Sequence, residues 1–253
     1  MNMADEQPKI ICFMCNWVFC EEELRVPENF NILRVPCIGR MDPVLILETF
    51  ANGADGVMLV GCKPADCHFV DGNLHAERAV KMLKNLLSLS GLGSERLRLI
   101  LFSPLEDRDF NRYASEFSEE ICALGLSPLK NTESALKITA NIMAAKNAAS
   151  AFRLRVLLGR EEELTELENA YGERISKEEY DSMLDDIIKA EFIRYKIHYL
   201  TREKPLSVRQ LAEILGLKPS LVLRHITNMR RKGMITMDRV EGNTPLYRAL
   251  EVH

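Results

Sequence analysis

The chain has 253 residues, 47% of them hydrophobic and 28% charged, with a formal net charge of -4; that balance suits one large domain, or a medium domain with a small one attached. No apolar run reaches the length that crosses a bilayer, and the start MNMADEQPK lacks the basic opening and apolar middle of a secretory signal, so a cytoplasmic location without membrane contact is expected. Seven cysteines are an odd number for pairing, and a reducing cytosol disfavours disulfides, so metal binding or redox chemistry is the expected use of the thiols.

From Lys9 to about Gly125 short apolar runs alternate with helical patterns, which reads as a parallel α/β unit. KIICFM is the first strand and NILRV the second. Pro43 opens a helix that stops at Gly53. DGVMLVG is apolar throughout, as expected of a strand covered on both faces. A second helix runs from about His75 to Leu89, with Ala79, Met82, Leu83, Leu86 and Leu87 on one stripe. RLRLILF makes a fourth strand, and Phe110 to Leu124 a helix closed by Gly125.

Six cysteines crowd into this unit: Cys12, Cys15, Cys20, Cys37, Cys62 and Cys67. Cys12 and Cys15 end the first strand, Cys37 follows the second, and Cys62 and Cys67 follow the third. Ligands of such sheets bind beyond the carboxyl ends of the strands, so three loops deliver thiols to one edge. Thiolates in fours hold iron–sulfur clusters. Structural zinc more often uses a compact knuckle repeated once; the Cys12 and Cys15 pair fits that spacing, but no second knuckle is equally compact. Cys122, alone, reads as a small buried hydrophobe.

Between Asn131 and Pro205 the pattern is helical. Ala135, Ile138, Ile142, Ala145, Ala149, Phe152 and Val156 recur at spacings of three and four, the seam of a lengthwise packed helix, and a homodimer through this segment is one use for it. REEEL is expected to be a solvated face. A second helix starts at Ser176, capped with Glu179, and runs through Leu184, Ile187, Ile188, Phe192 and Tyr195.

From Leu206 the grammar changes. Ser207 and Gln210 form a capping box, Gly216 breaks that helix, Pro219 starts the next, and two short strands surround Gly242. This is a winged helix-turn-helix. Residues 206–253 hold eight Lys and Arg against four Asp and Glu, a net +4 in a chain of net -4. The second helix offers Ser220, Arg224, Asn228 and Arg231 outward, beside Arg230 and Lys232, which permits phosphate contact.

The segments CNW, RVPCIGR, GADGVMLVGC and GCKPADCHF followed by DGN resemble the delta, or iron–sulfur, subunit family of methyl-viologen-reducing hydrogenase over about the first 128 residues. The resemblance implies a [2Fe-2S] cluster and electron relay between a hydrogenase, or another donor module, and the flavin subunit of heterodisulfide reductase. By motif position it implies Cys15, Cys37, Cys62 and Cys67 as the ligands. Family members often carry a further cysteine directly after CNW, where this chain has Val18; Cys12 and Cys20 are second-choice ligands in its place. The expected architecture is thus α/β: a parallel doubly wound iron–sulfur domain at residues 1–130, a helical connector or oligomerisation segment at 131–205, and a small winged helix domain at 206–253.

Trp17 is a candidate shield against water, and Arg40 and His68 are candidate donors to cluster sulfurs or to a partner surface. Asp66 and Asn73 read equally well as turn and helix-cap residues. HExxH, a phosphate-cradling loop and a nucleophile elbow are all absent from the sequence, so a relay whose chemistry belongs to its cofactor is expected rather than an enzyme acting alone. The alternative is a redox-sensing iron–sulfur regulator that reads DNA through its winged helix.

Overall fold

The computed structural model of the chain describes residues 7–18, 24–103, 109–131, 135–168 and 171–251. Strands β1 (Ile10–Cys15), β2 (Phe30–Val35), β3 (Gly56–Cys62) and β4 (Leu97–Phe102) pair in parallel in the order β2-β1-β3-β4. β3 is buried along its whole length, as a central strand with helices on both faces must be. On β1 the two-residue period sends Ile10, Cys12 and Met14 to one face and Phe13 to the other.

Each face has its own helices. Helix α1 (Pro43–Ala51) and α2 (Gly72–Ser90) cover Phe13, Val57 and Leu59, while α3 (Phe110–Leu124) lays Phe110, Ala114, Phe117 and Ile121 on Ile10, Cys12, Met14 and Met58. Asp42 caps α1 by accepting from the Val44 amide, with Pro43 at the first helical position, and Gly91 ends α2 in the left-handed region. The unit is the expected doubly wound α/β fold.

At the lower end of the sheet Asp55 is fully buried. Its carboxylate accepts from the Lys9 and Ser127 amides and from Lys130 Nζ at 2.8 Å.

The helical segment is built onto this unit. In α4 (Ala135–Ser150), Ile138, Ile142, Ala145 and Ala149 enter the same core as α1 and α2. The expected seam does not continue past that helix. Ala151 is extended and starts α5 (Phe152–Gly159), so the chain changes direction, Phe152 is 82% exposed and Leu154 is buried instead. A short helix α6 (Glu161–Glu166) follows. Its Glu161, expected in a solvated face, is buried and paired with Arg78 at 3.4 Å and Lys177 at 3.1 Å.

Helix α7 (Lys177–Glu203) begins at the Ser176–Glu179 capping box. Tyr180, Leu184, Ile187 and Ile188 close the first core, whereas Ile193 and Ile197 belong to the core of the winged helix. One unbroken helix therefore serves both. At the crossover Glu191 is buried against Arg194 at 2.5 Å, with Arg153 and Lys232 each at 3.9 Å.

The remainder is β5 (Leu206–Ser207), α8 (Val208–Leu215), α9 (Pro219–Arg231), β6 (Ile235–Glu241) and β7 (Thr244–Ala249). Both halves of the Ser207–Gln210 capping box form, and Gly216 is left-handed. The strands make an antiparallel sheet in the order β5-β7-β6. Its two-residue strand β5 leaves too little pattern to be read from sequence. Among the described residues no helix is long and apolar enough to cross a membrane.

Candidate metal centre

Parallel pairing brings the ends of β2, β1 and β3 side by side, and there the thiols gather. Cys15 is the last residue of β1, opposite Val35 in register, and Cys62 is the last of β3. Cys37 follows β2 in extended conformation and leads a single 3-10 turn, Ile38–Arg40. Cys67 lies in the loop between β3 and α2. Cys15, Cys37 and Cys62 form a buried cluster of their own, with Cys67, Val18 and Phe69 packed against it.

The first turn of α2 closes this cluster. A Cβ on Gly72 would lie 2.5 Å from Cys37 Sγ and 3.2 Å from Cys67 Sγ, and a Cβ on Gly39 would lie 1.8 Å from the Gly72 carbonyl oxygen. Glycine at both positions lets loop, helix and sulfurs meet. Neither glycine was singled out from the sequence, although both sit in the CIGR and DGN segments.

The electrostatics of the cluster pull the thiols in two directions. Burial pushes the Cys15, Cys37 and Cys62 thiols up, and their mutual repulsion as thiolates adds to it. Backbone amides oppose this: Ile38 donates to Cys15, Gly39 and Arg40 to Cys37, and His68 to Cys62. Donors aimed at sulfur stabilise the thiolate form that binds metal. Among the described residues no three His, Cys, Asp or Glu groups meet the geometry of a ready site for a single ion; Cys15, Cys37 and Cys62 nevertheless form one buried cluster with Cys67 packed against it, and backbone amides reach the first three.

The second-choice ligands fare differently. Cys12 is fully buried on the α3 face of β1, three residues from Cys15 and on the other side of the sheet, and burial pushes its thiol up to about 12. It is a core residue and does not join the four. Cys20 lies outside the described residues. Cys122, expected to be a buried hydrophobe, is exposed.

Aromatic groups rim the site. Trp17 stacks on His68 with ring centroids 3.6 Å apart and planes 15° apart, His68 meets Phe69 edge-on at 5.0 Å, and the Arg40 guanidinium lies 5.1 Å above Phe69. Trp17 is 52% exposed, so it lies at the surface against His68 rather than filling a core. Ala65 and Val70 both have φ of +70°. A β-branched residue in that region is strained, and both flank Cys67. Asn73 does not cap: the N-cap position of α2 is Asp71, which makes no side-chain cap bond.

At the far end of the chain, Ser220, Arg224, Arg230, Arg231 and Lys232 are exposed on or after α9, Asn228 is half-buried, and Val222, Ile226 and Met229 face the core. Burial, with Arg194 and Arg224 adding to it, lowers the pKa of His225 on the same helix.

Comparison with known proteins follows this division. A family model described as methyl-viologen-reducing hydrogenase, delta subunit, matches residues 10–125, and one described as winged helix-turn-helix DNA-binding matches residues 197–236. The iron-sulfur subunit of the F420-non-reducing hydrogenase of Archaeoglobus profundus is 40% identical over 131 residues, covering 49% of this chain and 96% of that protein. The vhc iron-sulfur subunit of the F420-non-reducing hydrogenase of Methanococcus voltae is 36% identical over 131 residues, covering 49% of this chain and 91% of that protein. One component of the ferredoxin/F(420)H(2)-dependent CoB-CoM heterodisulfide reductase of Methanosarcina acetivorans is 34% identical over 125 residues; those are 47% of this chain but only 16% of that longer protein.

Proposed function

Since the chain belongs to the family of methyl-viologen-reducing hydrogenase delta subunits, we propose that it is an electron-transfer subunit holding a [2Fe-2S] cluster on Cys15, Cys37, Cys62 and Cys67. The observation that carries this reading is the meeting of those four thiols beneath Gly72, at the carboxyl edge of three strands. The donor set fits an iron–sulfur group: four sulfurs, backbone amides aimed at three of them, and a cradle that even a methyl group would fill. Relatives named as iron-sulfur subunits support the cofactor class.

Such a cluster, when bound, supplies one-electron acceptance and donation. The chain's own residues do the rest. The thiolates and the amides of Ile38, Gly39, Arg40 and His68 would hold and polarise it, while Val18 and Phe69 pack against the thiols and would exclude water there, with the stacked Trp17 and His68 beside Phe69. Electrons pass between a hydrogenase or other donor module and a heterodisulfide-reductase-like flavin subunit. A segment like this one within a longer heterodisulfide reductase protein supports that partner. The three parts at residues 1–130, 131–205 and 206–253 then act as relay, platform and docking module. A homodimer through the platform would use outer residues such as Leu136 and Phe152, because the inner seam is covered within the chain.

The test is iron and sulfide analysis with electron paramagnetic resonance of anaerobically prepared protein. We expect a [2Fe-2S] signal that Cys62→Ser and Cys67→Ser abolish. Stoichiometric zinc without labile sulfide would sink the assignment.

A second reading has its own observation. The exposed Arg224, Arg230 and Arg231 of α9, within the match to a DNA-binding winged helix, suit a redox-sensing regulator. Against a strong DNA reader, the wing's Arg239 is paired with Asp238 at 3.1 Å and Glu241 at 2.9 Å. A sequence-selective, salt-dependent gel shift would favour the regulator; co-purification with a flavin-containing reductase and no duplex affinity at low salt would exclude it.

A further inference from the structure

Asn73 carries the least explained polar group near the thiols. It is 2% exposed, and among the described residues neither Nδ2 nor Oδ1 has a hydrogen-bond partner. A buried amide left unpaired is destabilising, so such a group is retained where something else satisfies it. Three features say where that partner sits. Asn73 directly follows Gly72, whose Cβ position lies against Cys37 Sγ and Cys67 Sγ. Asn73 also heads the buried stripe that continues through Ala76, Val80, Leu83 and Leu87, so it faces inward beneath the helix. Helical side chains lean toward the N-terminus of their helix, and for Asn73 that direction is toward the thiols.

We propose that Asn73 is a positioning and tuning residue whose Nδ2 donates a hydrogen bond to a sulfur of the metal centre, setting its reduction potential; the inference rests on the proposed iron–sulfur assignment. A sulfur ligand set offers acceptors only, so the amide nitrogen is the atom it satisfies. The bond strengthens as the centre gains negative charge on reduction, so it favours the reduced form and raises the potential. The partial positive charge at the start of α2 acts in the same direction. Lengthening or removing the side chain therefore alters electron affinity without touching a ligand.

The experiment is a redox titration followed by electron paramagnetic resonance on wild-type protein, Asn73→Leu and Asn73→Ala, with iron and sulfide measured on each. Asn73→Leu keeps the branched outline, somewhat enlarged, without a donor; Asn73→Ala only removes atoms, so it keeps the measurement open if the leucine variant does not assemble. The expected result is full iron and sulfide with the one-electron equilibrium displaced toward the oxidised form by about tenfold, roughly 59 mV downward. Asn73→Gln, which retains the amide, should recover part of that shift. Full cluster content with an unchanged potential in the leucine or alanine variant would overturn the role of Asn73 and leave the iron–sulfur assignment standing. Wild-type protein lacking iron and sulfide would overturn the assignment itself.

Discussion

Gly39 and Gly72 meet backbone to backbone, so closely that a Cβ on Gly39 would fall 1.8 Å from the Gly72 carbonyl oxygen. This contact joins the Cys37 turn to the start of α2 and sets the depth of the thiol pocket. The two glycines should fail differently. Gly39→Ala forces backbone apart and should cost about 1–3 kcal/mol of stability, as overpacking does, read as a lower midpoint in denaturant. Gly72→Ala meets mainly Cys37 Sγ at 2.5 Å, so the fold should survive while iron content falls.

Cys12 and Cys122 should separate by reactivity. Burial holds the Cys12 thiol up at about 12, so at pH 8 only about one part in ten thousand is thiolate, the nucleophilic form. Cys122 is exposed. Iodoacetamide on the folded protein, mapped by mass spectrometry, should label Cys122 and spare Cys12 until denaturant is added. Cys12→Ala should retain iron and sulfide at a cost of about 1 kcal/mol; loss of the cluster in that variant would return Cys12 to the ligand set.

The winged helix should weaken on acidification. His225 has its pKa lowered first by burial and then by Arg194 and Arg224, with Glu191 opposing. Below the unfolded value of about 6.5 the unfolded chain binds a proton that the folded chain resists. Stability is therefore full above that pH and falls as pH drops from it toward the lowered folded value. Melting between pH 8 and 5 should show this loss, and His225→Gln should flatten it.

Helix α7 predicts cooperativity between parts. Tyr180, Leu184 and Ile188 anchor its first half in one core and Ile197 its second half in another. Lys189→Pro, at an exposed position between them, should cost about 3 kcal/mol or more and loosen both regions together. Hydrogen exchange localised to α8 and α9 alone would refute that coupling.

Replacing the buried Asp55 should strike the lower end of the sheet. Asp55→Ala removes the carboxylate that the Lys9 and Ser127 amides and Lys130 share, and because the carboxylate is buried while Lys130 is part-exposed the loss should fall toward the lower end of the about 3–5 kcal/mol that breaking a buried pair costs. The thiol pocket lies at the opposite end of β3, so what remains folded should still bind iron.

Much of this was legible in the residues. Continuous burial of β3, the helix bounds at Pro43 and Phe110, and both capping boxes follow from local pattern, because apolar period and cap chemistry act over a few neighbouring residues. Less was legible where the partner lies far along the chain. The seam through Phe152 failed because Ala151 turns the backbone, and Glu161 is buried because Arg78 and Lys177 meet it there.

By itself the sequence determined a parallel sheet with thiols at its carboxyl edge, a helical middle and a winged helix, since spacing along the chain encodes which face each residue takes. Only the tertiary structure decided that Cys12 turns away into the α3 core, that Gly39 and Gly72 set the pocket, that Asn73 is buried without a partner among the described residues, and that α7 belongs to two cores. Those outcomes depend on which distant surfaces exclude water from one another, and packing of that kind is a property of the folded chain, with no period in the sequence to announce it.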